Sequence, residues 1–138
     1  MSVLKFINYH TEEIRFKRNP NFTKKGKVSL EPEIEANISM YQDEKATIEL
    51  SIKIDSDELP FNVFIKILGK FSFKKEESNE EVEFIDLLKM NGVAILYPYL
   101  RSEVTSVTSL SNEYPPYILP IINVSELLKE KKGIHTGK

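Results

Sequence analysis

The chain has 138 residues, with 19 basic and 21 acidic side chains and a hydrophobic fraction of 41%. That length bounds one domain with one core, and a net charge near zero supplies no long-range field to draw the protein onto nucleic acid or an anionic membrane. There is no cysteine, which excludes disulfides, thiolate metal sites and a cysteine nucleophile.

At the amino terminus, Met1 to Asn8 hold one lysine and no apolar core of the signal-peptide kind. Nowhere do uninterrupted apolar residues approach the length of a membrane-spanning helix. The expected compartment is the cytoplasm, with no membrane insertion. Three glycosylation sequons, at Asn21, Asn37 and Asn123, read as chance without a secretory route. One domain is expected over 1–138, ending in a basic, flexible tail from about residue 132.

The first segment, residues 5 to 17, changes parity between Ile7 and Tyr9 on one side and Ile14 and Phe16 on the other, so a bulge near His10 to Glu12 is expected. Residues 18 to 32 form a long polar connection with Pro20, Gly26 and Pro32; a loop of that length in a compact domain is often functional. Ile34, Ala36, Ile38 and Met40 then alternate with Glu33, Glu35, Asn37 and Ser39, and Ala46, Ile48, Leu50, Ile52 and Ile54 alternate with polar partners after the turn Tyr41-Gln42-Asp43-Glu44. Period-two alternation of this kind predicts a hairpin with one buried face. A third run places Phe61, Val63, Ile65, Ile67, Phe71 and Phe73 on one face, interrupted by Gly69, and extends the hairpin to an antiparallel meander.

From Glu80 the period changes. Phe84, Leu87 and Leu88 are helically spaced, Asn91-Gly92 is expected to break that run, and Leu100, Val104 and Val107 recur at i, i+4 and i+7. Pro98 either kinks the long helix or marks its start, since it lacks an amide hydrogen and its ring strikes the preceding turn. Asn112 to Pro120 is an extended apolar loop, and Asn123 or Ser125 caps a last short helix, Glu126 to Lys132. Strands first and helices second define an α+β domain: a four-stranded antiparallel sheet with one long and one short carboxyl-terminal helix on one face.

The stretch Asn91-Gly92-Val93-Ala94-Ile95-Leu96-Tyr97-Pro98-Tyr99-Leu100-Arg101-Ser102-Glu103 resembles the helix signature of the SecB-like chaperones: an apolar pair, an aromatic, proline, an aromatic, then arginine. Pro115, Pro116 and Ile118-Leu119-Pro120-Ile121-Ile122-Asn123-Val124 are similar to that family's loop between its helices. Ile7-Asn8-Tyr9, Glu13-Ile14-Arg15-Phe16 and Asn19-Pro20 are similar to its first strand, Glu31-Pro32-Glu33-Ile34 to the end of its crossover loop, and Gly69 with Phe71 to its third long strand. The likeness covers roughly residues 5 to 130.

The resemblance implies an ATP-independent holdase, a dimer of dimers, that binds unfolded or preprotein polypeptides in apolar grooves. Those grooves lie between the crossover loop, the following strand and the loop between the helices. By position this nominates Leu30, Ile34, Ala36 and Ile38 on one side and Tyr114, Tyr117 and Ile118 on the other. Docking to the SecA motor would use acidic positions on the sheet, of which Glu13 is retained, whereas Lys17 and Phe64 stand where exporting members are acidic. A dedicated chaperone of one partner, such as an antitoxin, and a scaffolding protein of the same fold are the alternatives.

Read from the residues alone, Leu30, Ile34, Ala36 and Ile38 fit a simple core. Phe64 and Leu68 break the polar parity of their strand and fit either a subunit interface or client contact. His10 and His135, the two histidines, have no serine or carboxylate at triad-like spacing, so no catalysis is expected. The Glu76-Glu77 and Glu80-Glu81 run fits a solvated helix cap and lacks calcium-loop spacing, and Gly26 and Gly92 are too isolated for a phosphate loop. Neither cofactor nor metal is expected.

Overall fold

The structure is a computed structural model that describes residues 4–22, 32–42, 44–56, 58–73, 85, 87–119 and 134–137. Four antiparallel strands form the sheet, β1 (Leu4–Arg18), β2 (Glu33–Gln42), β3 (Lys45–Ile54) and β4 (Phe61–Phe73): the last three are a meander, and β1 lies beside β4. A fifth, β5 (Ile134–Gly137), joins the far edge, and the sheet order is β1-β4-β3-β2-β5.

Alternation decides which face is covered. The odd-numbered residues of β4 and the even-numbered residues of β3 pair across the sheet, Ile65 with Ile52 and Ile67 with Leu50, and all four are completely buried. Each such side chain stabilises the fold by roughly 1.5 to 3 kcal/mol relative to leaving it in water. Glu44, with φ of 64°, closes the β2–β3 turn in the left-handed region.

Strand β1 carries two register shifts against β4, between Phe6 and Asn8 and between Thr11 and Glu13. The second falls at the expected bulge; the first is additional. By making Ile7 the extra residue it brings both Phe6, opposite Phe71, and Tyr9, opposite Gly69, onto the covered face.

That cover is one long helix, α1 (Val93–Thr108), entered through a π-helical turn at Leu88–Gly92 and left through a 3-10 turn at Ser109–Ser111. The expected break at Asn91-Gly92 is corrected: the backbone stays helical through it. Gly92 serves close packing instead, since a Cβ there would stand 2.6 Å from Ile48 Cδ1. Pro98 lies inside α1 on its exposed side, as does Ala94, so the carbonyl that loses its amide partner faces water.

The described residues hold one helix of the two expected on this face, because the short helix expected at 126–132 lies outside them, as do Leu30 and the Glu76 to Glu81 run. Residues 134–137, read from sequence as part of a flexible end, run parallel to β2 with Ile134 in register with Ala36 and Gly137 with Ser39.

Candidate functional site

Helix α1 rides over β4 and β3, and its two flanks do different things. Residues turn by about 100° each, so positions 99 and 103 face one flank and positions 101 and 108 the other. On the first flank Tyr99 packs against Tyr9 and Phe6, with ring centroids 4.5 and 5.7 Å apart. One turn later Glu103 Oε2 accepts hydrogen bonds from Thr11 Oγ1 at 2.6 Å and Tyr9 Oη at 3.4 Å. Burial, and then the Glu103 charge, raise the Tyr9 phenol above its ordinary value. This flank therefore looks toward β1, and the opposite one toward β3 and β2.

On that opposite flank the chain leaving α1 doubles back along the helix. Asn112, with φ of 57°, makes the reversal. Three bonds then tie the returning segment down. Ser111 Oγ accepts the Tyr114 amide at 3.3 Å, the buried Thr108 Oγ1 accepts the Tyr117 amide at 2.8 Å, and Arg101 Nε donates to the Leu119 carbonyl at 2.6 Å. Thr108 in turn donates to the Val104 carbonyl at 2.8 Å, so its hydroxyl both donates and accepts. The start of the segment is fixed to the exit of β1, by the Arg18–Glu113 ion pair at 2.5 Å and an edge-on contact of Phe22 with Tyr114 at 5.3 Å.

The result is a stiff apolar wall. Leu119 is buried, Tyr117 packs half-buried against the core, and Ile118 between them is 57% exposed. Burial raises the phenols of Tyr97 and Tyr117; the nearby Tyr117 adds to the effect on Tyr97, and Arg101 acts against it. With Tyr114 and Tyr117 on the same tied segment, Ile118 presents exposed apolar surface.

The nominated residues divide accordingly. Tyr114, Tyr117 and Ile118 stand together on this wall. Ile34, Ala36 and Ile38 are 6%, 0% and 1% exposed. All three belong to the buried core on the inward face of β2. Sequence reading missed Arg101 and Thr108 as the ties of the loop; an arginine and a threonine seven apart on one helix flank, ahead of a proline-rich return, were the available signal.

Further exposed apolar residues lie toward β1. Ile14, on the covered face opposite Ile65, is 46% exposed and Leu110 at the helix end is 64% exposed. On the outer face Phe64 and Leu68 are half-buried; the Arg15 guanidinium lies 4.6 Å from the Phe64 ring centroid, and Arg15 Nε pairs with Glu13 at 2.8 Å. A shallow hollow of about 240 Å³ there is edged by Lys17, Lys53 and Asp55. Among the described residues no group of three His, Asp or Glu side chains could hold a metal ion, and no helix is long and apolar enough to cross a membrane.

No family model matches the chain. The fold is that of a SecB-like protein: it superimposes with a TM-score of 0.67 on the Mycobacterium tuberculosis Rv1957 SecB-like chaperone, solved in complex with a ChAD peptide from the Rv1956 HigA1 antitoxin, at 17% identity over 86% of this chain and 87% of that one. In sequence it is 31% identical to the protein-export protein SecB of Anaplasma phagocytophilum over 100 residues, 70% of this chain and 60% of that protein. The chain thus has the SecB-like fold and is similar in sequence to SecB. It is also 31% identical to the uncharacterized protein MJ0357 of Methanocaldococcus jannaschii over 98% of its own length and 90% of the other's.

Proposed function

We propose that this protein is a chaperone that holds unfolded polypeptide segments against the Tyr114–Tyr117–Ile118 wall, with no chemistry of its own and no cofactor. The observation that carries the reading is the exposure of Ile118 on a segment tied at Ser111, Thr108 and Arg101. Rigid aromatic and aliphatic groups on a proline-stiffened loop lose little entropy on binding, and they grip apolar side chains without requiring one sequence. Tyr114, Tyr117 and Ile118 are the client-facing set.

A homo-oligomer, a dimer of dimers in the cytoplasm, belongs to the same proposal. Long β1 lies at the sheet's edge, and Ile14 and Leu110 offer apolar surface beside it, which a second copy would cover. Light-scattering mass together with suppression of aggregation of a reduced, unfolded test protein examines both parts. A tetramer that keeps the test protein soluble supports the proposal, and a monomer with no effect contradicts it.

A narrower reading has its own support: a chaperone dedicated to one partner, such as an antitoxin. The outer-face positions that resemble the motor-docking site hold Lys17 and Phe64, and Glu13 is already paired with Arg15. That weakens export through a SecA motor as the role. The solved relative holds an antitoxin peptide. Selective protection of one antitoxin encoded beside this protein, with no effect on general clients, is the result expected of the dedicated role.

A further inference from the structure

Strand β2 would be the last strand of the meander if the sheet ended at residue 73. Its outer edge would then show a row of unpaired amides and carbonyls, a template for any extended chain. The structure instead covers the middle of that edge with the chain's own segment Ile134–Gly137, parallel to β2 along Ala36–Ser39. Four residues out of the ten in β2 are paired in this way, and the rest of the strand extends beyond the cover on both sides.

Every feature of the cover makes it replaceable. It is four residues long, and parallel pairing is slightly weaker per residue than antiparallel. Gly133 and Gly137 flank a core of only Ile134, His135 and Thr136, and glycine weakens a strand. The covered edge belongs to the strand at the side of the sheet away from β1, the direction that the Ile118 flank of α1 faces.

We propose that the outer edge of β2 at Ala36–Ser39 is a strand-addition site for extended client polypeptide, and that residues 134–137 occupy it as a stand-in until a client displaces them. The inference rests on the holdase reading and deepens it. Backbone pairing supplies sequence-independent affinity along β2, while the wall selects segments rich in apolar side chains. The stand-in keeps the edge from pairing with other copies when no client is present.

Competition of this kind lowers apparent client affinity in proportion to the time the stand-in is docked. Fluorescence anisotropy with labelled, reduced and carboxymethylated lactalbumin measures it in three chains: the full-length protein, a chain ending at Gly133, and a His135→Pro/Thr136→Pro double variant. Successive amides alternate sides, so one of the two prolines must remove a donor facing β2. A segment docked about nine-tenths of the time predicts a roughly tenfold gain in affinity in both altered chains. Client should also slow amide hydrogen exchange at Ala36–Ser39 in the truncated chain.

Equal or weaker binding in both altered chains, or no client protection of those amides, overturns strand addition. Wild-type binding would then leave the holdase reading standing. If the full-length and altered chains alike bind no unfolded protein, both inferences fail together.

Discussion

Leu96 lies directly over Gly69, so close that a Cβ at position 69 would stand 2.5 Å from Leu96 Cδ2 and 2.7 Å from Cδ1. The glycine that interrupts the apolar alternation of β4 is therefore the point where α1 is let down onto the sheet. Leu96 is completely buried and has no free volume to retreat into. Gly69→Ala is expected to destabilise the fold by about 1 to 3 kcal/mol, the usual range for overpacking a filled core. A urea unfolding midpoint that does not fall would contradict this account of the helix–sheet contact.

Glu103 is the polar link between α1 and β1. Its Oε2 takes both hydrogen bonds, from Tyr9 and Thr11, while Oε1 is buried with no hydrogen-bond partner. Glu103→Gln keeps the shape, removes the charge that strengthens the Thr11 bond, and places an amide hydrogen where no acceptor is provided. The expected loss is about 1 to 2 kcal/mol. Thr11→Ala should then have a smaller effect in the Glu103→Gln background than alone, and strict additivity would show the two do not act together.

The loop ties predict a separation of stability from binding. Thr108→Val preserves the side-chain shape but removes the acceptor for the Tyr117 amide and the donor to Val104, for an expected cost of about 1 to 2 kcal/mol. Client affinity should fall as well, because Tyr117 and Ile118 lose their fixed position. Intact affinity alongside reduced stability would mean that the wall works without being rigid.

Much of this architecture is legible in the sequence, and the exceptions share a cause. Period-two alternation marked β2, β3 and β4 because one face of each is buried, and Leu100, Val104 and Val107 marked α1 because one stripe of it is buried. What could not be read was set by contacts distant in sequence. Asn91-Gly92 looks like a stop, yet it continues as helix because Ile48 needs the space above it. Ile7 became a bulge because Phe6 and Tyr9 both meet Tyr99. Ile134–Gly137, with its two glycines, has no pattern of its own and forms a strand only against the β2 edge. At the site, Tyr114, Tyr117 and Ile118 were nominated through the family resemblance alone. Periodicity had favoured core for Ile34, Ala36 and Ile38, and burial agrees with periodicity.

Alkaline pH should loosen the same region. Burial raises the phenols of Tyr97 and Tyr117 above 10.0, the ordinary value, so the fold favours their neutral forms. Their contribution is intact below the unfolded value of 10.0 and is lost as pH rises through it toward the higher folded values. Unfolding midpoints should decline from about pH 9 to about pH 11, and less steeply in a Tyr97→Phe variant. A decline equally steep in that variant would place the alkaline sensitivity elsewhere.

The central claim is that the pinned, exposed Ile118 grips client, and the most direct test is binding of a reduced, unfolded test protein to wild type and to Ile118→Asp. At 57% exposure the substitution should leave the unfolding midpoint within about 0.5 kcal/mol of wild type. Affinity should drop at least roughly tenfold, because a carboxylate would have to lose its water against an apolar segment. Binding unchanged by Ile118→Asp, or a wild type that binds no unfolded chain, would contradict the account.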